Sequence, residues 1–217
     1  MSNIDYQVIE SLGDNCELGF VLRELGCETG SFFRWASANT ESVVKLLRHE
    51  FHEVYDFNNL QPSYLDMLRD KKYGVAFHTS MKAKLTDSGY SFIEQGDQLK
   101  KLYEQDKAKI DYLITKFRKK ALEKNTIYVV KANQNLADDT CMNLLMVLKN
   151  FCRRNDVKLL VVKASEENAG QVFYNGNFYV GFIARFAPYD KADDVLYEQW
   201  FEVLEKTIKS AEFVEGK

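Results

Sequence analysis

Histidine and proline are nearly absent from this chain: among 217 residues there are three of the first and two of the second, Pro62 and Pro188. Chemistry that needs an imidazole must draw on His49, His52 or His78, and no HExxH pair is present to hold a zinc ion. The four cysteines, Cys16, Cys27, Cys141 and Cys152, include no CxxC and form no four-ligand metal pattern. Glycine-rich phosphate fingerprints are missing too, since the chain has neither GxGxxG nor a P-loop lysine followed by Ser or Thr. No apolar run is long enough to span a membrane, and a formal net charge of −3 gives no general case for nucleic acid. The opening MSNIDYQ has no apolar leader, so free thiols in a cytoplasm are the simplest expectation.

What the chain does have is rings: 15 Phe and 12 Tyr, which with so little proline argue for a packed body rather than a linker-rich one. Residues 126–131, TIYVVK, and 157–163, VKLLVVK, are β-rich runs. Between them lies a helix with Leu144, Leu145, Leu148 and Phe151, capped by Asp138 or Asp139. That alternation predicts a single three-layer α/β domain over residues 1–212, with a mostly parallel central sheet, helices on both faces and an antiparallel hairpin at 171–183. Residues 213–217 are expected to fray. Residues 97–122 give the clearest helical stripe, through Leu99, Leu102, Tyr103, Ile110, Leu113, Ile114 and Phe117, and Glu104, Asp106 and Asp111 break up its basic outer face as on a solvated surface. Residues 73–78 read as a strand paired with 89–93, and residues 51–62 as an irregular surface excursion.

The stretch most suggestive of chemistry is residues 7–26, QVIESLGDNCELGFVLRELG. It reads as a short strand, a turn at Gly13, then Cys16 at the mouth of a helix carrying Leu18, Val21, Leu22 and Leu25. Unsatisfied N–H groups and the partial positive charge at a helix start stabilise a thiolate and lower its pKa. His78, at the end of a strand, is the histidine best placed to reach that thiol; His49 is expected on a solvent-facing helix and His52 in a loop. In the aromatic cluster SFFRWA, Arg34 can present a fixed fork to a carboxylate or phosphate beside Trp35, on a ligand or within the protein. Asn133 follows a strand whose carboxyl end is a usual ligand position, and Arg185 and Asp190 lie in a loop near the sheet edge.

Together, Ser11-Leu12-Gly13-Asp14-Asn15-Cys16, the block Ser31-Phe32-Phe33-Arg34-Trp35 and Phe77-His78 resemble a bacterial family described as papain-like cysteine peptidases. That resemblance matches Cys16 to the family cysteine, His78 to its histidine, and Phe33 and Trp35 to its aromatic positions. The chain departs from the pattern at Phe32, where the family has Pro, and at Arg34, where it has Asp. The FRWA form and the late GFIARFAPY segment are similar to a related branch associated with surface-polysaccharide or glycosyltransferase proteins.

The expected function is thiol-dependent hydrolysis or acyl transfer on an acyl, ester or amide group, with Cys16 as nucleophile and His78 as general base and acid. Asn15 and the N–H groups near Glu17 and Leu18 are the oxyanion candidates, and Asp14, Asp138, Asp139 or Asp190 the candidates to orient the imidazole. Substrate binding is expected from Arg34, Trp35, Asn133 and Arg185, on a small molecule, glycan or peptide. No metal or cofactor is required. Two alternatives stand beside it: a carbohydrate- or partner-binding module using Arg34 and Trp35, and a transferase domain for surface-polysaccharide biosynthesis taking an acyl or nucleotide donor. Oligomeric state is left open.

Overall fold

A strand buried on both faces needs apolar side chains at successive positions, and IYVVK and KLLVVKA meet that requirement at the centre of the protein. The computed structural model describes residues 4–132 and 136–215. The chain opens with β1 (Ile9–Ser11), α1 (Glu17–Glu24), β2 (Ala36–Ser37) and α2 (Thr40–Arg48). It continues through β3 (Leu60–Tyr64), β4 (Met67–Asp70), β5 (Val75–His78), β6 (Ala83–Thr86), β7 (Gly89–Phe92) and the long α3 (Gly96–Lys120). Then come β8 (Ile127–Lys131), α4 (Asp138–Cys152), β9 (Lys158–Ala164), β10 (Val172–Tyr174), β11 (Tyr179–Ile183) and α5 (Tyr197–Glu215).

The main sheet runs β1-β8-β9-β11-β10, parallel throughout except for the antiparallel edge pair β10–β11. Strand alternation divides its side chains between two cores. On one face Ile9, Ile127, Val129, Leu160 and Val162 meet Leu18 and Val21 of α1 and Trp200, Val203 and Ile208 of α5. On the other, Tyr128, Val130, Leu159 and Val161 meet α2, α3 and α4 and an aromatic cluster of edge-to-face rings that includes Phe32, Phe33, Phe51, Phe77 and Phe117. The mixed α/β class, the parallel centre, helices on both faces and the 171–183 hairpin match the expectation.

Helix ends follow local chemistry. Asn39 Oδ1 accepts the Ser42 N–H at 2.8 Å to start α2. Gly26, at φ +75°, lets α1 turn back so that the Cys27 N–H reaches the Leu22 carbonyl at 2.8 Å.

Four expectations are corrected. The strand ending at His78 does not pair with residues 89–93: β5 lies between β2 and β4 in a second, antiparallel sheet of order β2-β5-β4-β3, while β7 pairs with β6. The nearer partner wins because a short loop costs less to close, and buried Asp70 holds that turn by accepting from the backbone N–H groups of Lys72, Tyr73 and Tyr55. Residues 51–62 are not a surface excursion, since Phe51, Val54, Tyr55 and Leu60 are buried. Neither Asp138 nor Asp139 caps α4; Ala137 holds the N-cap position and both acids sit in the first turn. Helix α5 continues to Glu215, past the expected start of a frayed tail.

Candidate functional site

Because β1 and β8 are parallel neighbours, their carboxyl ends emerge side by side, the edge where open α/β sheets bind ligands. Past β1 the chain cannot continue straight. Gly13 adopts φ +91°, and Asp14, a residue with a side chain, follows at φ +83°. At Gly13 a Cβ would sit 3.1 Å from that of Ala38, so close approach adds to the reason for glycine there. A non-glycine residue in this region costs on the order of 1 kcal/mol or more unless its surroundings hold it. Two contacts do: the Asp14 N–H donates to the Ala38 carbonyl at 2.8 Å, and its carboxylate lies 3.0 Å from the Lys131 ammonium. The result is a strand, a strained turn and a helix, with Cys16 at the N-cap position of α1.

Beneath Cys16 lies a buried charged network. Lys131, the last residue of β8 and 3% exposed in its side chain, donates to Glu17 Oε2 at 2.8 Å and Asn15 Oδ1 at 2.8 Å besides pairing with Asp14. Its ammonium also sits 5.0 Å above the Phe186 ring. Glu17 is fully buried, and its second oxygen accepts the Trp200 indole N–H at 2.9 Å, so the network ties α1 to α5 on the same face of the sheet. Asn15 Oδ1 also accepts the Glu17 N–H at 3.0 Å, whereas buried Nδ2 has no protein partner. Charges are buried only where partners offset the loss of water, so three polar residues converging on one lysine mark a specified arrangement.

Of the four cysteines, Cys16 alone is not buried. Its thiol is raised above the ordinary cysteine range, chiefly by burial, with the Lys131 ammonium pulling the other way. This overturns the expectation of a thiol lowered by the helix start. The physical reason is that burial of the sulfur removes more hydration than the nearby Lys131 cation and the helix end offset.

His78 is exposed at the end of β5, with Nδ1 3.7 Å from Asp66 Oδ2. Strand β2 follows the Arg34–Trp35 segment and pairs with the strand of His78. Its Ala36 and Ser37 pair with Phe77 and Ala76 of β5, while on the α1 side Gly19 packs so closely that an added Cβ would be 2.7 Å from the Arg34 carbonyl. No hydrogen bond joins Cys16 and His78 among the described residues. Asp66 was not foreseen from sequence, because the turn it occupies lies between two strands neither of which was legible.

The other expected residues have separate fates. Arg34 is buried and gives its terminal nitrogens to the Thr29 carbonyl at 2.8 Å and the Gly19 carbonyl at 3.2 Å, clamping the aromatic segment onto α1. Trp35 is held by Phe20, edge-on at 5.3 Å, and by the Arg23 guanidinium at 4.7 Å. Asp138 is exposed with Lys163 3.8 Å away, Asp139 and Asp190 are exposed, and Arg185 pairs with Asp194 at 3.0 Å. Asn133 lies outside the described residues.

A cleft of about 680 Å³ opens beside the network, walled by Asp14, Lys131, Asn39, Thr40, Glu41, Thr140 and Tyr189 among others. The Tyr189 hydroxyl hydrogen-bonds Ser37 and fastens that loop over the rim. Lys131 and Glu17 are the site residues sequence reasoning missed; the one available signal was a lysine closing an otherwise apolar buried strand. Among the described residues no cluster of His, Cys, Asp and Glu suits a metal ion, and no helix is long and apolar enough to cross a membrane.

Fold and site together define a mixed α/β protein with a charged pocket at the carboxyl edge of its parallel sheet. Comparison with protein-family models, curated proteins and solved structures finds no match to the chain.

Proposed function

We propose that this protein is a thiol-dependent hydrolase or acyltransferase in which Cys16 attacks an acyl, ester or amide carbonyl. The observation that carries this reading is the strained strand–turn–helix that brings the one unburied cysteine to the carboxyl edge of the sheet, above the Lys131 network. Such turns hold a nucleophile clear of the backbone at a fixed angle. Because the resting thiol is protonated, a base must take its proton as the carbon–sulfur bond forms. His78 is the base we assign to that step, with Asp66 to orient the imidazole, and the step requires it to come within hydrogen-bond reach of the sulfur in the substrate complex. The uncommitted Asn15 Nδ2–H and the Leu18 N–H, next after the Glu17 N–H that Asn15 Oδ1 accepts, supply donors for the oxyanion. The imidazolium then returns its proton to the leaving group, and water or an acceptor hydroxyl resolves the thioester. The polar lining of the cleft suits a hydroxyl-rich small molecule, a glycan or a peptide, and the reaction as written needs no cofactor. Free thiols fit a reducing compartment such as the cytoplasm.

One observation favours a second reading. The cleft itself is polar and of ligand size, so it also fits a binding module for a hydroxylated ligand without turnover.

The deciding experiment treats the intact chain with an electrophilic acyl analogue and with a panel of acyl esters, beside Cys16→Ala and His78→Gln. Thiol chemistry requires labelling and turnover that vanish in Cys16→Ala, and acylation slowed by about 10²-fold or more in His78→Gln. Undiminished turnover in Cys16→Ala would reject it, as would a wild-type thiol that no analogue labels. Ligand binding preserved in Cys16→Ala with no turnover in either protein would leave the binding module in its place.

A further inference from the structure

A second cavity, of about 410 Å³, lies beside the edge strand β1 and the last two turns of α3, away from the Cys16 site. Side-chain alternation explains why it is polar. Ile9 faces the α1 and α5 layer, so Glu10, the next residue, turns toward α3, in register with Tyr128. Glu10 is 5% exposed and its Oε1 has no protein partner. Arg34, 3% exposed, lines the same cavity; its terminal nitrogens are committed to carbonyls, but Nε is without a partner. Buried polar atoms are almost always satisfied, so two uncommitted ones on a single cavity wall, on side chains that do not pair with each other, point to a ligand. Ile9, Leu22 and Cys27 offer an apolar wall, and Lys116 and Lys119 line the cavity from α3.

We infer that this cavity binds a small organic oxyanion, a carboxylate, phosphate or sulfonate with a short apolar body, held by hydrogen bonds from Glu10 in its acid form and from Arg34 Nε. Burial raises the Glu10 carboxyl to about 7, against the opposing effects of a hydrogen bond from Ser31 and the charges of Lys120, Lys116 and Arg34. Below that pH the neutral acid donates O–H to the anion; above it the carboxylate repels the same anion. Anion binding therefore takes up a proton, and affinity falls as pH rises. With Glu10 at about 7, the expected loss between about pH 6 and about pH 8 is roughly tenfold.

The test is calorimetric titration of the full chain with butyrate and with butylsulfonate, neither of which changes charge in that window, and with n-butanol as the uncharged control. Expected are binding of at least one anion but not of the alcohol, the tenfold pH effect in wild type, its disappearance in Glu10→Gln with binding retained, and a loss of tenfold or more in Glu10→Leu. Cys16→Ala should bind as wild type, which separates this cavity from the proposed thiol site. Absence of binding by both anions overturns the inference, and so do equal binding of n-butanol, affinity that rises with pH, or wild-type affinity in Glu10→Leu. If Glu10→Leu does not fold, the exposed pair Lys116→Glu with Lys119→Glu decides: weakened anion binding supports the site and unchanged binding refutes it.

Discussion

Replacing Lys131 by Met is the sharpest test of the network beneath Cys16. The substitution keeps most of the side-chain volume and removes only the ammonium, which contacts Glu17 at 2.8 Å, Asn15 at 2.8 Å and Asp14 at 3.0 Å. The three partners do not suffer equally. Asp14 has a side chain 17% exposed and can recover some hydration, whereas Glu17 at 0% cannot, so the main cost is one stranded buried carboxylate. Breaking a buried pair in this way costs about 3–5 kcal/mol, a large fraction of an ordinary total stability of about 5–15 kcal/mol. Glu17→Gln added to Lys131→Met neutralises the stranded group while its amide oxygen still accepts from Trp200, and should restore roughly 2 kcal/mol. Urea unfolding of the two single variants, the double variant and wild type, followed by tryptophan fluorescence and extrapolated linearly, measures all four stabilities. A Lys131→Met loss below about 1 kcal/mol, or a double variant that merely sums the single losses, would refute the claim that this lysine neutralises a buried carboxylate.

Further consequences follow from other buried contacts. Asp106 accepts from Thr79 Oγ1 at 2.7 Å, the Ser80 N–H at 2.7 Å and Ser80 Oγ at 3.0 Å, so Asp106→Ala should lose about 2–3 kcal/mol in urea unfolding by leaving those donors unpaired. Gly19→Ala would place a methyl 2.7 Å from the Arg34 carbonyl and 3.0 Å from the Trp35 ring, and thermal unfolding should show a loss of about 1–3 kcal/mol from overpacking. For Glu10 the folded-state pKa, about 7, lies above the unfolded 4.5, so the folded protein prefers the acid form and its stability falls as pH rises from about 4.5 through about 7. Glu10→Gln should remove that slope and be the more stable protein at about pH 8, by up to on the order of 3 kcal/mol, as urea midpoints at about pH 5 and about pH 8 will show. Alkylation of Cys16 in the absence of substrate should be slow at neutral pH and accelerate above the range of an ordinary thiol, because burial raises its pKa; peptide mass mapping after iodoacetamide treatment follows it.

The central strands, the α3 stripe and the 171–183 hairpin could be read from the chain because each is a local pattern: continuous apolar runs, a 3.6-residue period, or an Asn-Gly-Asn turn between β-rich segments. The strand–turn–helix around Cys16 was legible for the same reason. Strand β4 was not, since MLRD carries only one strongly buried apolar residue, and without it β5 was paired with the wrong strand, residues 89–93. Asp106 looked like one more charge on a solvated helix face; only the packing of the Thr79-Ser80 turn against α3 made it a buried acceptor. Lys131, Glu17 and Trp200 lie up to 183 positions apart, and nothing in their spacing says that they meet.

The order of residues alone thus determined the central strands, the long helices and the place of Cys16 at a helix start, because each depends on neighbours a few positions away, and the alternation of those strands and helices implied a parallel sheet. Packing decided how acidic that sulfur is, what Lys131 and Arg34 hold, and that Glu10 faces a second cavity. Those properties come from the water removed and the charges gathered around each group, and both are set by residues distant in the chain.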